Sequence, residues 1–377
     1  MKPKAKQLSI RDYLCQVTWG WFSMSMATGG IAVLLYNTPH QFTGLLTIGK
    51  IFYIFNLVLF TAISCCLSLR FVTDHSALKE SFRHANETHF VGTCPLALAT
   101  IILGANNYGV DTCGPWLVVA LRVVFWIYVA ISVLQAIFHN WYLYHRHVGS
   151  VQRFPIVRLL PSFPAMLGGT IASVLASNQP QDQAIPIIIG GITLQGFGFT
   201  MALIIYAEYF CRLNKSGLPK LSERPEMFIA VGPWSFTALA FIGMANAAVE
   251  KFPAGYFVSS ATDSAVAVAT GQIALVLATL VAIFLWTLAF FCFCIAGLSM
   301  LAPCRVFGGD GGVPMSLAYW SMVFPNTGFV IATIKIGQVL QSEAVLWVSS
   351  VMTVLQVAVW LGVGVATVWR LGRHGVL

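Results

Sequence analysis

The sequence predicts an all-α integral membrane protein of ten transmembrane helices. Three observations carry this reading: sparse charge, repeated long apolar runs, and cations gathered on alternate connections. Hydrophobic residues make up 58% of the 377 and charged residues 9%, with a mean hydropathy of +0.79. A soluble domain carries roughly 25% charged residues. So few charges cannot coat a water-exposed globule of this size. The 27 Phe, 11 Trp and 11 Tyr exclude a disordered polar chain.

A spanning helix takes about 20 mostly apolar residues. That window places spans near 19–36, 50–72, 89–106, 116–144, 157–177, 184–211, 226–246, 267–300, 316–340 and 344–369. The run over 267–300 exceeds what a bilayer needs, so it tilts or extends past the bilayer. Connections are short except 247–266. The expected organisation is a cytoplasmic N-terminal segment over 1–18, one ten-helix domain over 19–370, and a short cytoplasmic tail over 371–377. No small-residue cleavage site follows Lys2, Lys4, Lys6 and Arg11, so the first span is retained.

The formal net charge of +8 invites a nucleic-acid reading, but its distribution excludes one. With the N-terminus inside, the inner segments hold Lys2, Lys4, Lys6, Arg11, Arg70, Lys79, Arg83, Arg146, Arg153, Arg158, Arg212, Lys215, Lys220, Arg224, Arg305, Arg370 and Arg373. The outer loops hold Lys50 and Lys251. This is the positive-inside pattern, and an even number of spans leaves both termini cytoplasmic. Among nine cysteines, Cys113 alone falls in an outer loop, so no outer disulfide pair is expected.

The odd spans each carry helix breakers near mid-membrane. These are Thr28-Gly29-Gly30, then Thr93-Cys94-Pro95, then Phe163-Pro164 with Gly168-Gly169-Thr170. Gly232-Pro233 with Ser235-Phe236-Thr237 follows, then Phe324-Pro325-Asn326-Thr327-Gly328. Four of the even spans are bulkier and lack interior proline; the sixth is looser, with Pro186 and several glycines. Broken backbone at membrane depth survives only against protein or a water-filled cavity. The expectation is an inner ring of odd helices around a polar path, with even helices outside it. Thr28, Gly29, Thr93, Thr170, Thr237, Asn326 and Thr327 are the candidate lining residues. Proline and glycine are also common in membrane helices generally, which is the plainer account of the pattern.

Charge inside the membrane is sparse, and the candidates are Arg122, Glu208 and Lys335. A charge at the helix centre costs about 2.5–3.5 kcal/mol on insertion scales. Glu208 lies four residues before Arg212, and a helical ion pair is expected. Arg122 is placed to snorkel toward the outer headgroups. Lys335 lies about three turns past Phe324 and shares a face with it; a lysine there raises local anion concentration. A path of hydroxyls and amides with cations near its ends and no acidic ring suits anions. Phe324 among small residues has the character of a steric or dewetting gate, with core packing as its ordinary alternative.

Enzyme readings find no footing. None of the eight histidines forms a pair four apart on a helix. The glycine-rich stretch 308–312 lacks the Lys-Ser/Thr of a phosphate loop and reads as a connector. No cofactor or metal is expected, and transport driven by ATP finds no site.

Several stretches together resemble the fungal malic acid transporters of the tellurite-resistance/dicarboxylate transporter family. They are Trp19-Gly-Trp-Phe-Ser-Met-Ser-Met-Ala-Thr-Gly-Gly30, Thr47-Ile-Gly-Lys50, Gly169-Thr-Ile-Ala-Ser-Val174 with Gln179-Pro180, and Gln195-Gly-Phe-Gly-Phe199. To these add Arg224-Pro-Glu-Met-Phe-Ile-Ala-Val-Gly-Pro233 and Phe324-Pro-Asn-Thr-Gly-Phe329. They run through nearly the whole chain. The wider family takes in bacterial tellurite-resistance proteins, plant slow anion channels and the yeast sulfite efflux pump. The resemblance implies five helical hairpins with quasi-five-fold symmetry around a central pore, commonly as a homotrimer in the plasma membrane. It also implies that Phe324 occludes the pore. The expected substrates are malate, succinate and related C4 dicarboxylates; sulfite or a small inorganic anion is the alternative. Little chain follows the last span, so regulation through a long charged tail is not expected.

Overall fold

A computed structural model describes residues 16–146, 155–253, 256, 264–301 and 316–374. Their regular structure is helical throughout. Ten helices of thirteen residues or more run through them: α1 (Phe22–Asn37), α2 (Leu45–Thr73), α3 (Thr93–Cys113), α4 (Pro115–Arg146), α5 (Phe163–Leu175), α6 (Gln181–Ser216), α7 (Gly232–Lys251), α8 (Ser264–Leu301), α9 (Phe324–Val339) and α10 (Glu343–His374). Gly114, at φ +84°, makes the tight link from α3 to α4. A short helix, His75–Arg83, follows α2. Its N-cap is Asp74, whose carboxylate accepts from the Ser76 amide at 2.9 Å.

Eight helical segments are long and apolar enough to cross a membrane. The expected spans near 19–36 and 157–177 fall short, because α1 has 16 residues and α5 has 13. Protein surrounds both helices: 14 residues of α1 and 11 of α5 are buried. A helix enclosed by protein need not be apolar all round, so it can keep the Ser, Thr and Gly that lower its hydropathy.

Each odd helix is preceded by a 3₁₀ segment: Trp19–Trp21, His89–Gly92, Pro155–Leu159, Leu221–Val231 and Leu317–Met322. Prolines account for three of these boundaries. Pro164, Pro233 and Pro325 stand at the first helical positions of α5, α7 and α9, where a missing N–H costs no helical bond. Here the structure corrects the expected breaks. Thr28-Gly29-Gly30 and Gly168-Gly169-Thr170 lie inside continuous helix. Their glycines serve close packing instead: a Cβ on Gly29 would run into Thr100 and Asn56, and one on Gly168 into Leu194.

The odd helices pack in a closed sequence: α1 on α3, α3 on α5, α5 on α7, α7 on α9, and α9 back on α1. Each even helix lies against the odd helix before it and the odd helix after it. Burial follows the same division. The spanning windows that hold α3, α7 and α9 are 61%, 89% and 78% buried, against 17–39% for those of the even helices. Every even helix sends at least one polar side chain inward. Asn56 on α2 accepts from Ser25 at 2.7 Å and donates to Thr100. Tyr128 on α4 donates to the Pro164 carbonyl at 2.8 Å. Gln195 on α6 donates to Thr237 at 2.7 Å. Trp286 on α8 donates to Thr333 at 2.8 Å, and Gln356 on α10 to the Val323 carbonyl at 2.9 Å.

The even helices α2, α4, α6 and α10 end where the odd helices begin, and the cations gather there. Arg70, Arg83, Arg146, Arg212, Lys215, Arg224, Arg370 and Arg373 lie at this end; Lys50 and Lys251 lie at the opposite one. Glu208 pairs at 2.7 Å with Arg158, a partner not expected from sequence. The 3₁₀ segment carrying Arg158 packs directly on α6, which brings the guanidinium within reach. Residues 1–15, 147–154, 254–255, 257–263, 302–315 and 375–377 lie outside the described residues, and with them Arg153, Arg305, the glycine-rich stretch 308–312, much of the 247–266 connection, most of the 1–18 segment and the end of the 371–377 tail.

Candidate functional site

The odd helices enclose a cavity of about 260 Å³. All five contribute, and each presents its residues with the same spacing of i, i+3 and i+7. The stripes are Gly30, Val33 and Asn37 on α1; Thr100, Leu103 and Asn107 on α3; and Thr170, Ser173 and Ser177 on α5. Phe236, Leu239 and Gly243 follow on α7, and Phe324, Thr327 and Ile331 on α9, with Lys335 one turn further. Residues with this spacing share one face of an α-helix. The repeated stripe is the local reason that five sequence-distant segments wall one space.

Packing contacts put the stripes in register. A Cβ on Gly30 would meet Thr327 Oγ1 at 2.9 Å and Phe324 Cδ2 at 3.1 Å. One on Gly328 would meet the Phe236 ring at 2.7 Å, and one on Gly243 would meet Ser173 at 2.8 Å. Gly30, Thr100, Phe236 and Thr327 therefore form the lower layer. Seven or eight residues on, about 10–12 Å higher, stand Asn37, Asn107, Gly243 and Lys335, with Ser173 beside Gly243. Val33, Leu103, Leu239, Ile331 and Thr170 lie between them.

The floor is aromatic. Phe324 is buried at 2% exposure. Its ring stacks on Phe236 with centroids 4.9 Å apart, and it meets Phe163 edge-on at 6.3 Å. Phe163 and Phe236 pack edge-to-face at 5.7 Å. Three rings from α5, α7 and α9 thus close the cavity at the end where the odd helices start. Gly232 gives Phe163 its room and Gly328 gives Phe236 its room, since a Cβ at either would press on the ring at 2.8 or 2.7 Å.

The upper wall is polar. Asn178 donates to Asn106 at 3.2 Å. Asn107 Nδ2 and Thr170 Oγ1 are buried with no hydrogen-bond partner among the described residues. Such orphaned groups cost about 1–3 kcal/mol each unless a ligand or water satisfies them. Lys335 is the one charged side chain among the described residues that line the cavity, and it forms no ion pair among them. No carboxylate is in that lining.

The expected site residues divide. Phe324, Thr170, Thr327 and Lys335 lie in the cavity wall. Thr28, Gly29, Thr93, Thr237 and Asn326 lie outside it. Thr28 donates to the Met24 carbonyl and accepts from Trp360 at 3.1 Å, so it faces α10. Gly29 faces Asn56 and Thr100. Thr93 donates to the Trp19 and Phe90 carbonyls at the 3₁₀ junction. Thr237 accepts from Gln195, and Asn326 donates to the Met322 carbonyl. The backbone carbonyls freed at the α9 break are thus taken up by Asn326 and Gln356, not left to a path. Asn37, Asn107, Ser173, Ser177 and Asn178 were not singled out from sequence. The i, i+3, i+7 stripe was the signal that would have found most of them.

The voltage-dependent anion channel family matches residues 16–368. The chain is 34% identical over 358 residues to the malic acid transport protein of Schizosaccharomyces pombe, covering 95% of this chain and 79% of that one. It is 32% identical over 361 residues to a putative malic acid transport protein of the same organism, covering 96% and 81%. It is 25% identical over 352 residues to the sulfite efflux pump SSU1 of Arthroderma benhamiae, covering 93% and 90%.

Proposed function

The chain belongs to the voltage-dependent anion channel family, and from that membership we propose that it transports C4-dicarboxylate anions such as malate and succinate across a membrane. It is a transport protein and not an enzyme. In this reading all ten helices span the bilayer as five hairpins with quasi-five-fold symmetry. α1 and α5 cross without facing lipid. The basic end is cytoplasmic, both termini lie on that side, the location is the plasma membrane and the assembly is a homotrimer.

The observation that carries the reading is the cavity itself. Five helices line it, one lysine supplies its charge, and Phe324 closes it with Phe236 and Phe163. A positive side chain without an acidic neighbour in the wall favours anions by Coulomb attraction, strengthened where protein excludes water. Thr170 and Thr327 would pass the anion along the wall, and displacement of the Phe324 ring would open the floor. The remaining expected residues act behind the wall: Thr28, Gly29, Thr93, Thr237 and Asn326 would hold the ring of helices in register.

Two resemblances in name point to different anions, malate and sulfite. Malate is favoured by the higher identity, 34% against 25%. Uptake of labelled malate into proteoliposomes holding the purified chain tests the reading. Saturable malate uptake is expected. Sulfite or chloride flux without malate flux would overturn the substrate assignment.

A further inference from the structure

The cavity is not uniformly polar along its length, and that asymmetry has a chemical meaning. Between the polar collar of Asn37, Asn107 and Lys335 and the ring of Phe324 lies a sleeve of Val33, Leu103, Leu239 and Ile331. These four come from four different helices: Val33, Leu103 and Leu239 hold the i+3 step of their stripes, and Ile331, the i+7 step of its own, reaches the same depth because Thr327 packs beside Gly30. The one polar interruption at that depth is Thr170, whose hydroxyl is buried and unpartnered among the described residues.

A compact inorganic anion gains nothing from such a sleeve. It must shed water there, and four aliphatic walls give no hydrogen bond in return. An organic anion differs because its carbon chain is apolar and its charge sits at the ends. We infer that the sleeve is the specificity-determining element of the path: it seats the carbon chain of a dicarboxylate. One carboxylate then lies at the collar against Lys335 and Asn107, and the other lies near Thr170. Lys335 stands about one helical turn above Thr170, a separation that a four-carbon chain bridges. The collar supplies attraction to any anion; the sleeve separates organic from inorganic ones. This rests on the proposed dicarboxylate function and adds to it the residues that set the choice.

The test is competition against labelled malate uptake in proteoliposomes, with succinate and sulfite as the competitors. In the wild-type chain succinate competes better than sulfite. Val33→Thr keeps side-chain size nearly constant while adding a hydroxyl to the sleeve; Ile331→Thr adds one and also removes the terminal methyl. Each variant is expected to lower the preference for succinate over sulfite by about five-fold or more, the scale at which pocket polarity and single methylenes discriminate. Lys335→Gln is expected to weaken both competitors and leave their ratio within about two-fold, because a point charge attracts both. Elution of each variant as a single folded species on size-exclusion chromatography separates a specificity effect from misfolding. A ratio unchanged in both sleeve variants, with malate uptake intact, overturns the sleeve and leaves the transport reading standing. A wild-type chain that carries sulfite and no malate overturns both.

Discussion

The rings of Phe236 and Phe324 stack with centroids 4.9 Å apart and planes 23° from parallel. They belong to α7 and α9, neighbours in the closed sequence of odd helices. Phe163 meets both rings edge-on. A contact of this kind is worth about 0.5–1.5 kcal/mol beyond its buried area. That is enough to hold a ring across a passage and small enough for the ring to leave it. In the proposed reading the floor of the cavity is thus a closure built from side chains.

Gly30 sets the room available to that closure. A Cβ there would stand 2.9 Å from Thr327 Oγ1 and 3.1 Å from Phe324 Cδ2. Gly30→Ala is expected to lower malate flux several-fold by fixing the Phe324 ring in place. Overpacking costs about 1–3 kcal/mol, so a modest fall in melting temperature should accompany it. Flux equal to wild type, at equal protein, would remove Phe324 mobility from the account.

Lys335 is expected to act on affinity more than on turnover. Lys335→Gln should raise the malate KM several-fold and flatten its dependence on ionic strength, since screening weakens a charge–charge attraction. KM measured at low and moderate salt checks this. A variant with the wild-type salt slope would place the attraction elsewhere.

Asn56 joins three helices. It accepts from Ser25 on α1 and donates to Thr100 on α3 from its own place on α2, and it is fully buried. Asn56→Leu strands the Ser25 hydroxyl and removes the donor to Thr100, whose own proton still goes to the Ala97 carbonyl. The expected loss is about 1–3 kcal/mol for the polar groups left unsatisfied, read as a lower melting temperature in detergent. An unchanged melting temperature would show that the hub is dispensable.

Arg70 and Glu87 form an ion pair at 2.7 Å with both side chains 11% exposed. Arg70 also donates to the Val17 carbonyl at 2.8 Å. Glu87→Gln leaves a buried cation poorly compensated, a change that costs about 3–5 kcal/mol in comparable sites. The variant is expected to lose folded yield at the basic end of the molecule, and replacing both residues together should recover part of it. A Glu87→Gln protein with wild-type yield and melting temperature would contradict this.

The division into odd and even helices was legible in the sequence because it is written in composition. Proline marks the starts of α5, α7 and α9, and the bulkier residues face outward on the even helices. The roles of the glycines were not legible. Gly29 and Gly168 carry the same signature as a helix break, yet their purpose is contact with Thr100 and Leu194, which are distant in sequence. Hydroxyls beside the breaker motifs were assigned to the path as well, and Thr28, Thr93 and Thr237 turn out to bond Trp360, Trp19 and Gln195. Conversely, Asn37, Asn107 and Ser173 look unremarkable one at a time. They become a wall only once the three-and-seven spacing of five helices is superposed, and that register depends on contacts such as Gly30 with Thr327 and Gly243 with Ser173.

The central claim is that malate passes through the ring of odd helices and that Phe324 closes the way. Malate efflux from preloaded proteoliposomes, compared between the wild-type chain and Phe324→Ala at equal reconstituted protein, tests it most directly. Both proteins should release malate, and Phe324→Ala should release it about ten-fold faster or more, since removing the ring opens a passage that otherwise requires the ring to move. Equal rates in the two proteins, with the variant folded, would contradict the account.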